Sequence, residues 1–184
     1  MEQFLGDYNR EIYGRAFTGK ISLSQKSIAL TLDHLEKEGI LKSRKQGNIK
    51  YFHLNLENSE IKDILTSVEL TRKINFLKKQ RKLATIFKKD QRIVGIFGSY
   101  AKGSQKTNSD LDIFIIGKKI KDDYEQKGRT FDLKISIKYF TEKKFNDLLR
   151  KKNPLINEII KSHILLFNTE KFVNLSWSNH YGLA

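Results

Sequence analysis

Cysteine is absent from the 184 residues, and proline occurs once, at Pro154. The first absence excludes a disulfide scaffold, a thiol nucleophile and a cysteine-ligated zinc or iron–sulfur centre. With no tract rich in Pro, Ser or Gly, no flexible linker is marked either. Long apolar runs are missing too. The strongest, Ile113-Phe114-Ile115-Ile116 and Ile164-Leu165-Leu166-Phe167, have the length of buried strands and are too short to cross a bilayer. Met1-Glu2-Gln3-Phe4-Leu5-Gly6-Asp7 has neither a basic n-region nor an apolar h-region, so no secretory signal, no membrane partner and a cytoplasmic location are expected. Acidic side chains are scarce: 21 Asp and Glu face 35 Lys and Arg, a net charge of +14. Yet 39% hydrophobic and 11% aromatic residues exclude a disordered polyelectrolyte, and the length suits one ordinary domain or two small ones. The excess is spread out, at +3 in residues 1–56, +5 in 57–92 and +6 in 93–184. Its sign favours polyanionic ligands in general and none in particular.

Ser24 suits a helix N-cap, and Ile28, Leu32 and Leu35 form an apolar stripe behind it. Gly39 suits the C-terminal cap. A shorter helix is expected before it, from Glu11 to Thr18. After Ile40-Leu41, the turn Gln46-Gly47-Asn48 between Lys42-Ser43-Arg44-Lys45 and the alternating Ile49-Lys50-Tyr51-Phe52-His53-Leu54 reads as a β-hairpin. Helix, turn, Ser-capped helix and basic hairpin together resemble the winged helix-turn-helix of transcriptional regulators. That resemblance implies double-stranded DNA as a partner, with Gln25, Lys26 and Ser27 reaching bases and Arg44, Lys45 and Lys50 meeting phosphate. Ala29 and Leu30 depart from the polar residues of many such proteins, and a dimerisation or docking module is the competing reading.

From Ser59 onward, Ile61, Ile64, Leu65 and Val68 keep helical spacing, and Ile74, Leu77, Leu83, Ile86 and Phe87 continue it. Two helices joined near Leu70 to Arg72 are expected, the first able to pair two chains into a homodimer.

The chemistry lies further on. Arg92-Ile93-Val94-Gly95-Ile96-Phe97 reads as a strand ending in Gly98-Ser99, and Asp110-Leu111-Asp112 opens a second strand. Strand alternation puts Asp110 and Asp112 on one face. Two adjacent carboxylates repel unless a cation sits between them, and hard oxygen ligands suit Mg2+ or Mn2+. Gly98 lets the backbone approach a phosphate, and Ser99 offers a hydroxyl and an amide. Thr130 to Ile137 alternates as a third strand with Asp132 on its polar face, so three carboxylates are expected to converge. His163 and His180 are isolated and are assigned to no metal.

Gly98-Ser99-Tyr100-Ala101-Lys102-Gly103-Ser104 followed by Ser109-Asp110-Leu111-Asp112 resembles the G-S-x10-D-x-D signature of the polymerase-β-like nucleotidyltransferases, most of all their minimal branch. The resemblance runs from residue 70 to 170. It implies metal binding and catalysis by Asp110, Asp112 and Asp132, with two ions, and nucleotide binding by Gly98, Ser99 and Lys102. It also implies transfer of a nucleoside monophosphate, AMP first among them, from an NTP such as ATP to a hydroxyl acceptor. Similar minimal transferases are antitoxins, some adding AMP to HEPN-type toxins. The alternative is a DNA-binding regulator whose transferase domain senses nucleotide without turnover. The expected architecture is α+β: a winged helix-turn-helix at 1–56, a helical connector at 57–69, a minimal nucleotidyltransferase at 70–170 with a small mixed sheet flanked by helices, and a tail at 171–184.

Overall fold

The computed structural model describes residues 1–19 and 21–180, and the side chains of 178–180 lie outside the description, His180 among them. Helix α1 (Gln25–Lys37) starts where Ser24 Oγ accepts the Ser27 amide at 3.1 Å, satisfying one of the free donors of the first turn. Strands β1 (Ile12–Tyr13), β2 (Leu41–Gln46) and β3 (Ile49–Leu54) form an antiparallel sheet in the order β1-β3-β2. Leu41 and Leu54, opposite each other in the hairpin, are both buried, together with Phe52, Ile28 and Leu32.

The helix expected from Glu11 to Thr18 is not there. Ile12 and Tyr13 pair with Phe52 and Tyr51 as strand β1, and Gly14–Phe17 makes only a 3-10 turn. A β-branched and an aromatic residue beside a helix-weakening glycine give the extended pairing the advantage.

Helix α2 (Ile61–Lys79) is continuous through Leu70 to Arg72, where two helices were expected to join. The break falls at Gln80 (φ −116°, ψ 60°), followed by α3 (Arg81–Ile86). Leu65, Glu69, Arg72 and Phe76 keep one face against the protein throughout, so the middle of α2 has no packing reason to break.

The second sheet contains β4 (Ile93–Phe97), β5 (Leu111–Ile116), β6 (Ile135–Phe140) and β7 (Ile164–Phe167), in the order β6-β5-β4-β7. It is mixed: β5 runs parallel to β6, and β4 antiparallel to β5 and β7. Its two faces carry separate cores. Leu111, Ile113 and Ile115 pack towards α3 and the short helix α5 (Tyr124–Arg129). Phe114 and Ile116 pack towards α6 (Glu142–Arg150), α7 (Pro154–Lys161) and α8 (Thr169–His180). Residues 171–180 of the expected tail thus belong to a helix, and 181–184 lie outside the described residues. Phe172 of α8 enters the sheet core, while Val173 and Trp177 enter the core of the N-terminal module.

Candidate active site

Gly98 and Asp112 meet where β4 ends and β5 begins. Phe97 is paired with Asp112 in the antiparallel register, so the turn after β4 lands beside that carboxylate. Gly98 has φ 69°, a left-handed conformation, and opens the five-residue helix α4 (Gly98–Lys102). A Cβ at Gly98 would lie 2.7 Å from Asp112 Oδ2, so a side chain there would displace that carboxylate in addition to straining the left-handed backbone.

Strand β5 begins at Leu111, so Asp110 immediately precedes it and Asp112 is its second residue, near enough for the Asp110 charge to act on the Asp112 carboxyl. The parallel register puts Ser136 beside Asp112, and the Lys134 ammonium donates to Asp110 at 2.8 Å. Burial raises the Asp112 carboxyl above its ordinary range. Asp110 and then Glu158 of α7 push it further, against the Lys138 charge and a hydrogen bond from Ser136. The Lys134 ammonium is raised by the same Asp110 bond.

Asp132 does not join the pair. Strand β6 begins only at Ile135, and Asp132 sits in the preceding turn with φ 53°. There it lines a groove with Glu125, Arg129 and Leu133. Among the described residues, no three Asp, Glu, His or Cys side chains converge as a metal-binding group. The apolar alternation of 131–137 is real, but the amides of Phe131 and Leu133 bond back to the Gly128 carbonyl, closing a turn.

Sequence reasoning missed Glu158. It accepts the Lys102 ammonium at 2.5 Å, so the lysine expected on phosphate is tied to α7. No local pattern reveals that proximity, because 56 residues separate the partners. Ser136 and Lys138 could have been found from alternation once the strand start was known. Ser99 follows Gly98 in the same turn, and Tyr100 packs its ring against the sheet core.

The six residues expected to contact DNA divide in two. Gln25, Lys26 and Lys45 are exposed. Ser27 Oγ lies 2.9 Å from Ser24 Oγ, Arg44 makes two 2.6 Å bonds to Glu11, and Lys50 bonds Asp33 and Glu36 at 2.9 and 2.6 Å. The positive charge of the β2–β3 hairpin is therefore largely matched within the module.

A family model described as polymerase beta, nucleotidyltransferase, matches residues 81–172, half of the chain. No curated protein matches it. Among solved structures it is similar to a chain from the "Crystal structure of the toxin-antitoxin with AMP-PNP", at 18% identity and a TM-score of 0.38, over 56% of this chain and 84% of that one.

Proposed function

Because the chain belongs to the polymerase beta nucleotidyltransferase family and is a nucleotidyltransferase, we propose that it transfers a nucleoside monophosphate, AMP from ATP, to a hydroxyl acceptor on a protein. The observation that carries this reading is the apposition of Gly98 to Asp112: a glycine turn where any side chain would displace the Asp112 carboxylate, itself beside Asp110. Gly98 and Ser99 would receive the β,γ-phosphates, and Lys102 would add charge after release from Glu158. The acceptor hydroxyl would attack the α-phosphorus in line, the bond from the α-phosphorus to the bridging oxygen breaking to release pyrophosphate and the hydroxyl proton passing to solvent water.

The donor set fits a divalent cation. Asp110 and Asp112 are neighbours at the start of β5, and the Asp112 carboxyl is raised first by burial and then by the Asp110 charge, both of which a bound cation would offset. Two carboxylates completed by substrate phosphates and water match the habits of Mg2+, and Mn2+ is close to it. The ion would supply charge neutralisation and polarisation at the α-phosphate. A second ion and a proton-accepting Asp132 have no support in the geometry.

The test is label transfer from α-labelled ATP in the presence of Mg2+ and candidate acceptors, a HEPN-type toxin included. Wild type should label its acceptor, and Asp110→Asn/Asp112→Asn should not; transfer persisting in that variant would refute the site. The displaced Asp132 favours one second reading, nucleotide binding without turnover, which predicts ATP binding and no label on any acceptor.

The N-terminal module we read as a DNA-binding winged helix, on the strength of the Ser24-capped helix and the exposed Gln25, Lys26 and Lys45. Lys26→Ala/Lys45→Ala should weaken binding to the protein's own promoter and flatten its salt dependence. Unchanged affinity would remove this assignment.

A further inference from the structure

The buried side of α2 runs through Ile61, Leu65 and Glu69; its opposite side carries Asp63, Ser67, Leu70, Ile74 and Lys78, at intervals of four, three, four and four residues. That spacing makes one continuous stripe on a helix. All five are exposed, Leu70 at 41% and Ile74 at 53%. Elsewhere, large aliphatic side chains on α2 are at least half-buried, so this pair is an unpartnered apolar centre. It sits in the middle of a helix about 28 Å long.

The charges flanking that centre are segregated. Glu60 and Asp63 lie at the N-terminal end, and Lys78 and Arg81 follow at the C-terminal end. None of the four makes an ion pair among the described residues. Beside the stripe, between α2 and the N-terminal residues Met1 and Glu2, runs an apolar-floored groove of about 700 Å3, lined by Ile64, Ser67, Val68 and Thr71 and edged by Glu60 and Asp63; Glu2 adds a third carboxylate at this acidic end.

We propose that this face binds a second copy of the chain, α2 against α2 in antiparallel, about a two-fold axis between Leu70 and Thr71. Only that orientation matches the segregated charges. Residues then face each other in reciprocal pairs, as a two-fold interface requires: Leu70 meets Thr71, Ile74 meets Ser67 over the groove, Lys78 meets Asp63, and Arg81 approaches Glu60. A parallel pair would set like charges together at both ends and is excluded on that ground. The partner's Ile74 supplies the apolar side chain that the groove beside Ser67 lacks. The pairing uses none of the residues assigned to nucleotide or DNA, so it stands or falls separately from the proposed transfer activity.

The full chain in light scattering coupled to size-exclusion chromatography should give twice 21.5 kDa at micromolar concentration. A monomer would overturn the proposal, whether the face is bare or belongs to a different protein. Ile74→Glu should give a monomer with an unchanged helical circular-dichroism signal, since the position is exposed and the substitution leaves the core intact. Persistence of the dimer in that variant would overturn the face. Orientation is read by cross-linking, which the absence of native cysteine makes clean. Oxidised mixtures of Ser67→Cys and Ile74→Cys chains should form the mixed disulfide in preference to either homodimer. Preferential linkage of Ser67→Cys to itself would overturn the antiparallel register. Asp63→Lys should weaken the dimer and Asp63→Lys/Lys78→Asp should restore it; failure of that rescue would overturn the charge pairing.

Discussion

Gly98 and Asp112 constrain each other. With φ 69° and only 2.7 Å between a notional Cβ and Asp112 Oδ2, Gly98→Ala brings both backbone strain and a clash with the carboxylate. Gly98→Ala should cost about 1–3 kcal/mol of stability and most of the label-transfer activity. Chemical denaturation and initial rates would check the two effects separately, and an alanine variant of wild-type activity would contradict the packing. Glu158 offers a finer test. Its ion pair with Lys102 is half-exposed, so the competition it presents to a triphosphate is small, about 0.2–1 kcal/mol. Glu158→Gln should lower the KM for ATP by roughly 1.4- to fivefold with little change in kcat, measured by steady-state kinetics.

Helix α2 is joined to the sheet by a buried polar contact. Glu69 and His163 have side chains 2% and 4% exposed, with Nε2 and Oε1 3.0 Å apart. The Nδ1 of His163 lies 2.7 Å from the Ile159 carbonyl, and Arg72 donates to the other oxygen of Glu69 at 3.2 Å. Burial raises the Glu69 carboxyl, but His163 and Arg72 outweigh it and hold it below its ordinary 4.5. A carboxyl depressed in the folded state adds stability that is fully present above 4.5 and lost as pH falls through the folded value. The melting temperature should therefore drop on acidification below 4.5, and Glu69→Gln should be less stable at neutral pH but less acid-sensitive. Thermal melts across that range would decide, and parallel pH profiles for the two proteins would exclude the pair as a source of acid sensitivity.

Helix α8 contributes side chains to two cores. Phe172 packs beneath the mixed sheet, while Val173 and Trp177 complete the core shared by Phe4, Ile12 and Leu65. The Trp177 ring lies 5.2 Å from that of Tyr8, which is more than 160 residues away along the chain. Trp177→Ala should cost about 3–5 kcal/mol, loosening the N-terminal module first. Hydrogen exchange should show lost protection in β1 to β3 even though the substitution lies in the last helix. Loss confined to α8 would argue against this coupling. No helix among the described residues is long and apolar enough to cross a membrane.

Local chemistry was enough to mark the cap at Ser24, the hairpin at Gly47-Asn48, the two apolar strands and the Gly98-Ser99 and Asp110/Asp112 pairs, because each is set by neighbours a few residues apart. Composition already excluded cysteine chemistry and gave the sign of the charge. Tertiary contacts settled the rest. Where β6 starts depends on pairing with β5, and it starts too late to carry Asp132 to the other carboxylates. Glu158 reaches Lys102 only because α7 packs beneath the sheet, and Arg44 and Lys50 lose their freedom to acids that folding brings across the module. Periodicity assigns a side chain to a face; which side chains share a site depends on packing between distant segments, which no spacing rule encodes.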